Sequence, residues 1–177
     1  LDQSCQDAAA DLGMMRRSGI QYHWPNQGYG SYEDFLSTLL PRKRKALRRE
    51  RRRADESGAT MHVLTGDDIK PRHWQAFNEF YRLTIDRKWA RPYLTSQFFE
   101  RIGQTMASRI VLVMAEHEGR LVSGALNFLG SDALYGRYWG CLPGYRELHF
   151  ESCYHRAIEL AIELKLDFVL SARTPDY

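Results

Sequence analysis

The chain has 177 residues, 44% of them hydrophobic and 27% charged, which is the composition of a globular protein with one ordinary core. No apolar run approaches the roughly 18 residues that a membrane-spanning helix needs, and the first residues lack the basic-then-apolar order of a secretory signal. Three widely spaced cysteines argue against a disulfide framework and a structural zinc site, so we expect a reducing, cytoplasmic setting.

A basic segment carries most of the charge asymmetry. The net charge is only +3, but residues 42–53 read RKRKALRRERRR and hold nine bases and one acid. Such a run usually meets a polyanion, either nucleic acid or anionic lipid headgroups, although a solvated helix face is the simpler interpretation. Only Ala46 and Leu47 are apolar within it, so the segment cannot insert into a membrane as an amphipathic helix would.

Up to residue 106, hydrophobic spacing and capping signals predict short elements joined by loops. In chain order they are the end of a helix at 11–19 closed by Gly19, a strand at 20–24, a short helix from 31, a basic helix from 41 to about 56, a strand at 59–65, a helix opened near 71, a loop at 86–93 and a helix that Thr95 starts. Ser31 followed by Asp34 forms a capping box. Pro41 suits the first position of the basic helix, and Gly58 is placed to end it.

The clearest pattern lies in the last third of the chain. RIVLVMAEH, LVSGALNFLG and ALYGRYWG are separated only by EGR and SD, which predicts three successive antiparallel strands joined by tight turns. Near Glu147 the hydrophobic period becomes helical, and residues 166–172 form a final apolar strand. We therefore expect an α/β (α+β) fold with a mixed, mainly antiparallel sheet flanked by helices.

Four segments carry a resemblance to a known family. They are PRKRKALRRERRRADESGATMHVLTGDDI, DRKWARPYLTSQFF, GRLVSGALNFLGSDALYGRYWGC and LHFESCYHRAIELAIE. These segments and the order of elements, from residue 20 to about 168, resemble the FemAB-like, or Fem-type, acyltransferases, which pair two GNAT-like halves in one chain. The resemblance implies that residues 1–40 are the tail of a first half and residues 41–177 a second half, incomplete at its C-terminus. The absence of an initiator Met likewise suggests a longer protein.

The same resemblance implies transfer of an acyl or aminoacyl group to an amine, with a peptidoglycan precursor as the acceptor. Acetyl-CoA-dependent GNAT enzymes hold the CoA pyrophosphate on a glycine-rich turn before a helix. The equivalent stretch here, GCLPGYRELHFE, lacks that glycine cradle, so we expect no tightly bound cofactor. Fem-type proteins use aminoacyl-tRNA, and the donor stays open between acyl-CoA and aminoacyl-tRNA.

Two residues after the three strands are candidates for the general base. His149 and Glu151 lie at the start of the last helix, beside the place where GNAT strands separate to admit the donor, and either could deprotonate an amine. The simpler interpretation is that Glu151 complements the helix dipole and His149 is a solvated neighbour. Glu151 and His155 are four residues apart, but with no third ligand evident we expect no metal site.

The third predicted strand supplies the first set of candidate binding residues. Tyr135, Arg137 and Trp139 alternate, which predicts that they share one face of the sheet. An arginine between two aromatic residues suits a pocket for a carboxylate or phosphate. An exposed face with the arginine stacked on a ring is the alternative.

A non-periodic segment supplies the second set. Arg87, Lys88, Trp89, Arg91 and Tyr93 combine cations with aromatic rings, and loops held by a scaffold often bind ligands. An anionic substrate would suit them, whereas the alternative is a surface loop anchored by its tryptophan.

Two other functions remain open at this stage. One is a non-catalytic module that binds an anionic or cell-wall ligand in the sheet pocket. The other is a nucleic-acid-binding protein, with tRNA as a possible partner, led by residues 42–53. The substrate assignment rests on the family alone, because a fold does not determine a function.

Overall fold

The computed structural model describes residues 3–15, 21–87 and 91–171. Its helices are α1 (Gln3–Asp11), α2 (Tyr32–Thr38), α3 (Pro41–Glu56), α4 (Pro71–Arg87), α5 (Ser96–Thr105) and α6, in which a π-helical turn, Glu151–His155, joins the α-helical segments Leu148–Phe150 and Arg156–Glu163. Its strands are β1 (Tyr22–Pro25), β2 (Thr60–Thr65), β3 (Ile110–His117), β4 (Arg120–Leu129), β5 (Ala133–Cys141) and β6 (Phe168–Ser171). Short 3₁₀ turns lie at Gly66–Asp68 and Ala107–Arg109.

The six strands form one sheet in the order β1-β6-β5-β4-β3-β2. The β5–β6 pair is parallel, and every other pair is antiparallel. The parallel pair requires a crossover connection, which α6 provides. The predicted mixed, mainly antiparallel sheet flanked by helices is confirmed.

The sheet is buried on both faces. Ile110, Leu112 and Met114 pack with α4 and α5, whereas Val111 and Val113 pack with α2 and α6. Successive side chains of a strand point to opposite faces, so a strand covered on both sides must be apolar at every position. This explains the continuous apolar run in β3.

Several local signals are confirmed. The Ser31 hydroxyl accepts a hydrogen bond from the Asp34 amide at 3.0 Å, which caps α2. Pro41 is the first residue of α3, and Thr95 caps α5. Gly58 ends α3 with a φ of +73°, the left-handed region that favours glycine.

The N-terminal prediction was wrong. The first helix ends at Asp11, and Gly13 follows it with a φ of +67°. Met14 and Met15 are not helical, so the helix does not extend over 11–19, and Gly19 falls in the part of the chain that is not described. The sequence GMMRR contains good helix formers, but Gly13 takes the left-handed conformation first.

Residues 21–40 are integrated with the rest of the described chain. β1 pairs with β6, and Phe35 and Leu36 of α2 are buried in the same core as α6. The division at residue 40 therefore stays a prediction about the longer protein. No helix among the described residues has both the length and the apolar content to cross a bilayer.

Candidate active site

The outer edge of β5 is only partly covered by β6. The two strands pair over residues 133–136 and 168–171. Within the described chain, residues 137–141 of β5 have no β6 partner. In parallel sheets, a place where neighbouring strands separate is a common position for a ligand.

Helix α4 lies against this free edge. The Thr84 hydroxyl donates to the Trp139 carbonyl at 3.3 Å, and the Arg87 guanidinium donates to the Cys141 carbonyl at 3.1 Å. A Cβ on Gly140 would lie only 2.3 Å from the carbonyl oxygen of Phe80. The absence of a side chain at Gly140 thus lets the α4 backbone approach the strand.

A β-bulge interrupts β5 at the start of this edge. Leu126 of β4 lies opposite Tyr138, and Asn127 lies opposite Gly136, which leaves Arg137 as an extra residue. A bulge of this kind re-aims the side chains that follow it. The adjacent Gly136 is the signal that sequence reasoning missed, because a glycine inside a strand often marks a bulge.

The bulge overturns the prediction that Tyr135, Arg137 and Trp139 share one face. Tyr135 lies opposite Phe128, which packs on the α4 and α5 side. Trp139 packs instead on the α2 and α6 side. Alternation fails here because the inserted residue shifts the register by one.

On the α4 and α5 side, Arg137 joins a cluster of tyrosines. Its guanidinium lies 4.4 Å from the centroid of the Tyr138 ring, and it donates to the Tyr93 hydroxyl at 3.4 Å. The Tyr93 and Tyr138 hydroxyls hydrogen-bond to each other, and burial raises the pKa of Tyr138. No carboxylate of the described residues pairs with Arg137, so its charge remains available to an anion.

On the α2 and α6 side, His149 lies in an aromatic environment. Its ring centroid is 4.7 Å from that of Trp139 and 5.9 Å from that of Tyr154. Burial lowers the pKa of His149 below its ordinary value, and its ring makes no hydrogen bond to the described residues. A neutral imidazole with a free lone pair can accept a proton near neutral pH.

Glu151 lies elsewhere, in a buried ionic network. Its carboxylate is 3.2 Å from the Arg51 guanidinium and 2.8 Å from that of Arg156, and Arg51 also pairs with Glu159. Burial raises the pKa of Glu151, although both arginines act to lower it. Side chains two positions apart in a helix point about 200° away from each other. The structure therefore does not bring Glu151 and His149 together. Their predicted catalytic roles stay predictions.

The network continues to a buried histidine. The Tyr32 hydroxyl contacts His155 Nδ1 at 2.6 Å, and His155 Nε2 is 3.7 Å from the Glu50 carboxylate. Burial, with repulsion from the two arginines, lowers the pKa of His155 to about 4. The sequence analysis did not identify Arg51 as a member of this network. Arg51 lies four residues after Leu47, a spacing that places both on one face of α3 and could have indicated its inward position.

The predicted loop at 86–93 is only partly placed, and its first two residues, Asp86 and Arg87, are the last two of α4. The Arg87 side chain reaches the end of β5, as described above, and Arg91 is exposed. Lys88 and Trp89 lie outside the described residues. The described residues contain no group of three or more His, Cys, Asp or Glu side chains arranged to hold a metal.

One cleft does not coincide with these residues. It has a volume of about 530 Å³ and lies beyond the C-terminal end of β5, between α4 and the β3–β4 turn. Leu83, His117 and Tyr145 are among its lining residues, and none of the predicted site residues that the structure describes is. The β5 edge is the better candidate, because among the described residues it lacks a strand partner at 137–141 and has His149 without a hydrogen bond and Arg137 without an acidic partner.

Several solved structures have a similar fold. The C-terminal domain of a putative lysylphosphatidylglycerol synthetase from Agrobacterium fabrum superposes with a TM-score of 0.65 at 11% identity, over 98% of this chain and 52% of that one. FemX gives a TM-score of 0.63 at 13% identity, over 98% and 61%. A predicted acetyltransferase with acetyl-CoA from Clostridium acetobutylicum gives 0.52 at 11% identity, over 66% and 81%.

These similarities establish a GNAT-like fold. The chain spans only about half to three fifths of the length of FemX and the synthetase domain. No curated protein matches the sequence. A family model described as peptidoglycan biosynthesis and recognition matches residues 1–172, nearly the whole chain. The chain belongs to the FemAB-like family.

Proposed function

We propose that this chain contributes an active site for transfer of an acyl or aminoacyl group to an amine, located at the free edge of β5. The family and the fold support acyl transfer in general. The position of His149 beside this edge is the observation that carries the proposal. A peptidoglycan precursor is the acceptor that the family description favours.

In this proposal His149 is the general base. An amine attacks an acyl carbonyl only through its unprotonated nitrogen, so the ammonium proton must first be removed. His149 accepts that proton, the nitrogen bonds to the carbonyl carbon, and the bond from that carbon to the donor breaks. The nitrogen loses a second proton as the amide forms, and the donor takes up that proton and leaves as a thiol or an alcohol. The surrounding Trp139 and Tyr154 rings keep the imidazole neutral by excluding water.

Arg137 and Arg87 are the proposed anion contacts. Arg137 is held on the Tyr138 ring without an acidic partner, which suits a substrate phosphate or carboxylate. Arg87 is fixed at the end of the same strand edge. Tyr135, which is 41% exposed, and Trp139 would contact the substrate on opposite faces of the sheet, and the other predicted contacts, Lys88, Trp89 and Arg91, stay proposals.

Glu151 fits a different role. Its side chain is 2% exposed and is paired with two arginines, so a substrate amine has no direct access to it. We propose that it holds α6 against α3 and thereby positions His149. Its predicted role as a base is the alternative that the experiment below tests.

The donor is proposed as acyl-CoA or aminoacyl-tRNA. Similarity to an acetyltransferase solved with acetyl-CoA supports the first, and similarity to FemX keeps the second open. Both present a carbonyl activated by a leaving group, and both carry phosphates that arginines can bind.

A transfer assay tests the proposal. The chain and the variants His149→Gln and Glu151→Gln would be incubated with acyl-CoA and aminoacyl-tRNA donors and with amine acceptors that include a UDP-linked muramyl peptide. We expect transfer from one donor class and a large loss with His149→Gln. We also expect the rate to fall at acidic pH as His149 gains its proton, at a pH below the ordinary histidine range because burial lowers the pKa of His149. Ligand binding without turnover would instead favour the non-catalytic binding module.

A further inference from the structure

Helix α3 presents one continuous row of cations. Arg42, Lys45, Arg49 and Arg53 are spaced three, four and four residues apart, so they line one face of the helix. All four are exposed. At 1.5 Å per residue the row is straight and about 16 Å long.

The opposite face of α3 packs against the rest of the protein. Arg51 points inward to Glu151 and Glu159, and Leu47 packs on the core formed with α2 and α6. The row therefore faces away from the sheet. The contacts of the inner face fix the rotation of α3 about its own axis, so the row keeps one outward orientation.

The row is also uncompensated. Three other cations of α3 have acidic partners, since Arg48 pairs with Glu33, Arg51 with Glu151 and Glu159, and Arg52 with Glu56. None of the four residues of the row pairs with an acid within the described part of the chain. Uncompensated like charges on one helix face repel one another, so the row is a cost to folding that a bound polyanion would relieve.

We propose that the row docks the protein on the surface of an anionic lipid bilayer. A straight row of cations matches a flat array of phosphates, and each juxtamembrane cation adds to the attraction. Leu40, two positions before Arg42, is 75% exposed and adds an apolar side chain at the N-terminal end of the helix. The helix would lie on the headgroups without entering the bilayer, and the proposal does not depend on the transfer reaction.

Nucleic acid fits the row less well. Proteins that bind single strands add aromatic stacking, and readers of duplexes add side chains that reach base edges. The α3 helix has no aromatic residue, asparagine or glutamine. An RNA or a DNA would therefore meet only arginine and lysine contacts, to phosphates and to guanine edges, with no base stacking and no adenine-specific pair.

Co-sedimentation with vesicles tests the proposal. The chain would be mixed with vesicles of phosphatidylglycerol and phosphatidylcholine in equal parts, and with vesicles of phosphatidylcholine alone. We expect binding to the first only. We expect this binding to weaken as ionic strength rises, because the screening length falls from about 10 Å at 0.1 M to about 3 Å at 1 M. The variant R42Q/K45Q/R49Q/R53Q should bind about 100-fold or more weakly, at roughly fivefold for each cation.

A matched variant separates the row from net charge. R82Q/R101Q/R109Q/K165Q removes four exposed cations outside α3 and should keep most of the binding. Leu40→Ser should weaken binding a few-fold without changing its salt dependence. Equal losses in both fourfold variants, or no binding to the anionic vesicles, would overturn the proposal. So would tighter binding of bulk tRNA that the α3 variant alone abolishes, since that assigns the row to nucleic acid.

Discussion

Two arginine clusters on opposite faces of the sheet differ in how their charges are compensated. Arg51 is paired with two carboxylates and lies over the Tyr32 ring. Arg137 is exposed, lies on the Tyr138 ring and has no acidic partner among the described residues. A buried charge needs compensation from the fold, whereas an exposed and unpaired one can be compensated by a ligand. The first cluster is therefore structural, and the second is a candidate for binding.

Removing Arg51 should have the largest effect on stability. Arg51→Ala leaves the buried Glu151 with one cation in place of two and takes one partner from Glu159. The loss of unfolding free energy should therefore exceed that of an exposed pair but stay below the roughly 3–5 kcal/mol of a buried charge left without any partner. The matched change on the same helix is Arg48→Ala, whose pair with Glu33 is more than half exposed on both sides and should cost less than about 1 kcal/mol. Urea denaturation compares the two, and equal losses would contradict the structural assignment.

The buried histidine of the same cluster should make stability depend on pH. Because the pKa of His155 is lowered to about 4 in the folded protein, the unfolded chain binds more protons between pH 4 and 6.5. Stability is therefore lost as the pH falls through this range, by up to about 3 kcal/mol. His155→Gln removes this loss. The free energy of unfolding of the wild-type protein should therefore exceed that of the variant most above pH 6.5 and least near pH 4.

The raised pKa of Glu151 acts in the opposite direction, because a carboxyl that holds its proton in the fold gains stability as the pH falls. Glu151 is present in both the wild-type protein and His155→Gln, so its effect should largely cancel in the difference between their stabilities. Melting curves at several pH values measure that difference. A constant difference would show that His155 titrates normally.

At the β5 edge, the packing of α4 can be tested apart from charge. Gly140→Ala places a methyl group against the Phe80 carbonyl, and overpacking of this kind costs about 1–3 kcal/mol. Gly30→Ala is the control, since nothing lies within 4 Å of the added carbon, and its effect should stay within about 0.5 kcal/mol. If both variants melted alike, the close approach of α4 would be in doubt.

Arg137 should affect substrate binding and leave stability nearly unchanged. We expect Arg137→Gln to raise KM about tenfold and to change the free energy of unfolding by less than about 0.5 kcal/mol. Arg101→Gln, at an exposed position on α5, is the control for charge. An unchanged KM would remove Arg137 from the site.

Much of the fold could be predicted because its signals are local. The site could be predicted only in part, because its contacts join residues that are far apart in sequence. The capping of α2 by Ser31 and the end of α3 at Gly58 depend on residues a few positions apart. By contrast, the contact between Arg51 and Glu151 joins residues 100 positions apart in sequence, and nothing in either segment names the other. The bulge at Arg137 moved the predicted binding residues to different faces, because one extra residue inverts the alternation of a strand.

The most direct test measures kcat and stability together for His149→Gln and Glu151→Gln. The account predicts that His149→Gln lowers kcat by about 10²–10⁴-fold without shifting the melting temperature. It predicts that Glu151→Gln costs about 1–3 kcal/mol of stability and leaves kcat per folded molecule within a few-fold of wild type. The opposite result, a folded Glu151→Gln variant without activity beside an active His149→Gln variant, would contradict it and return the role of base to Glu151.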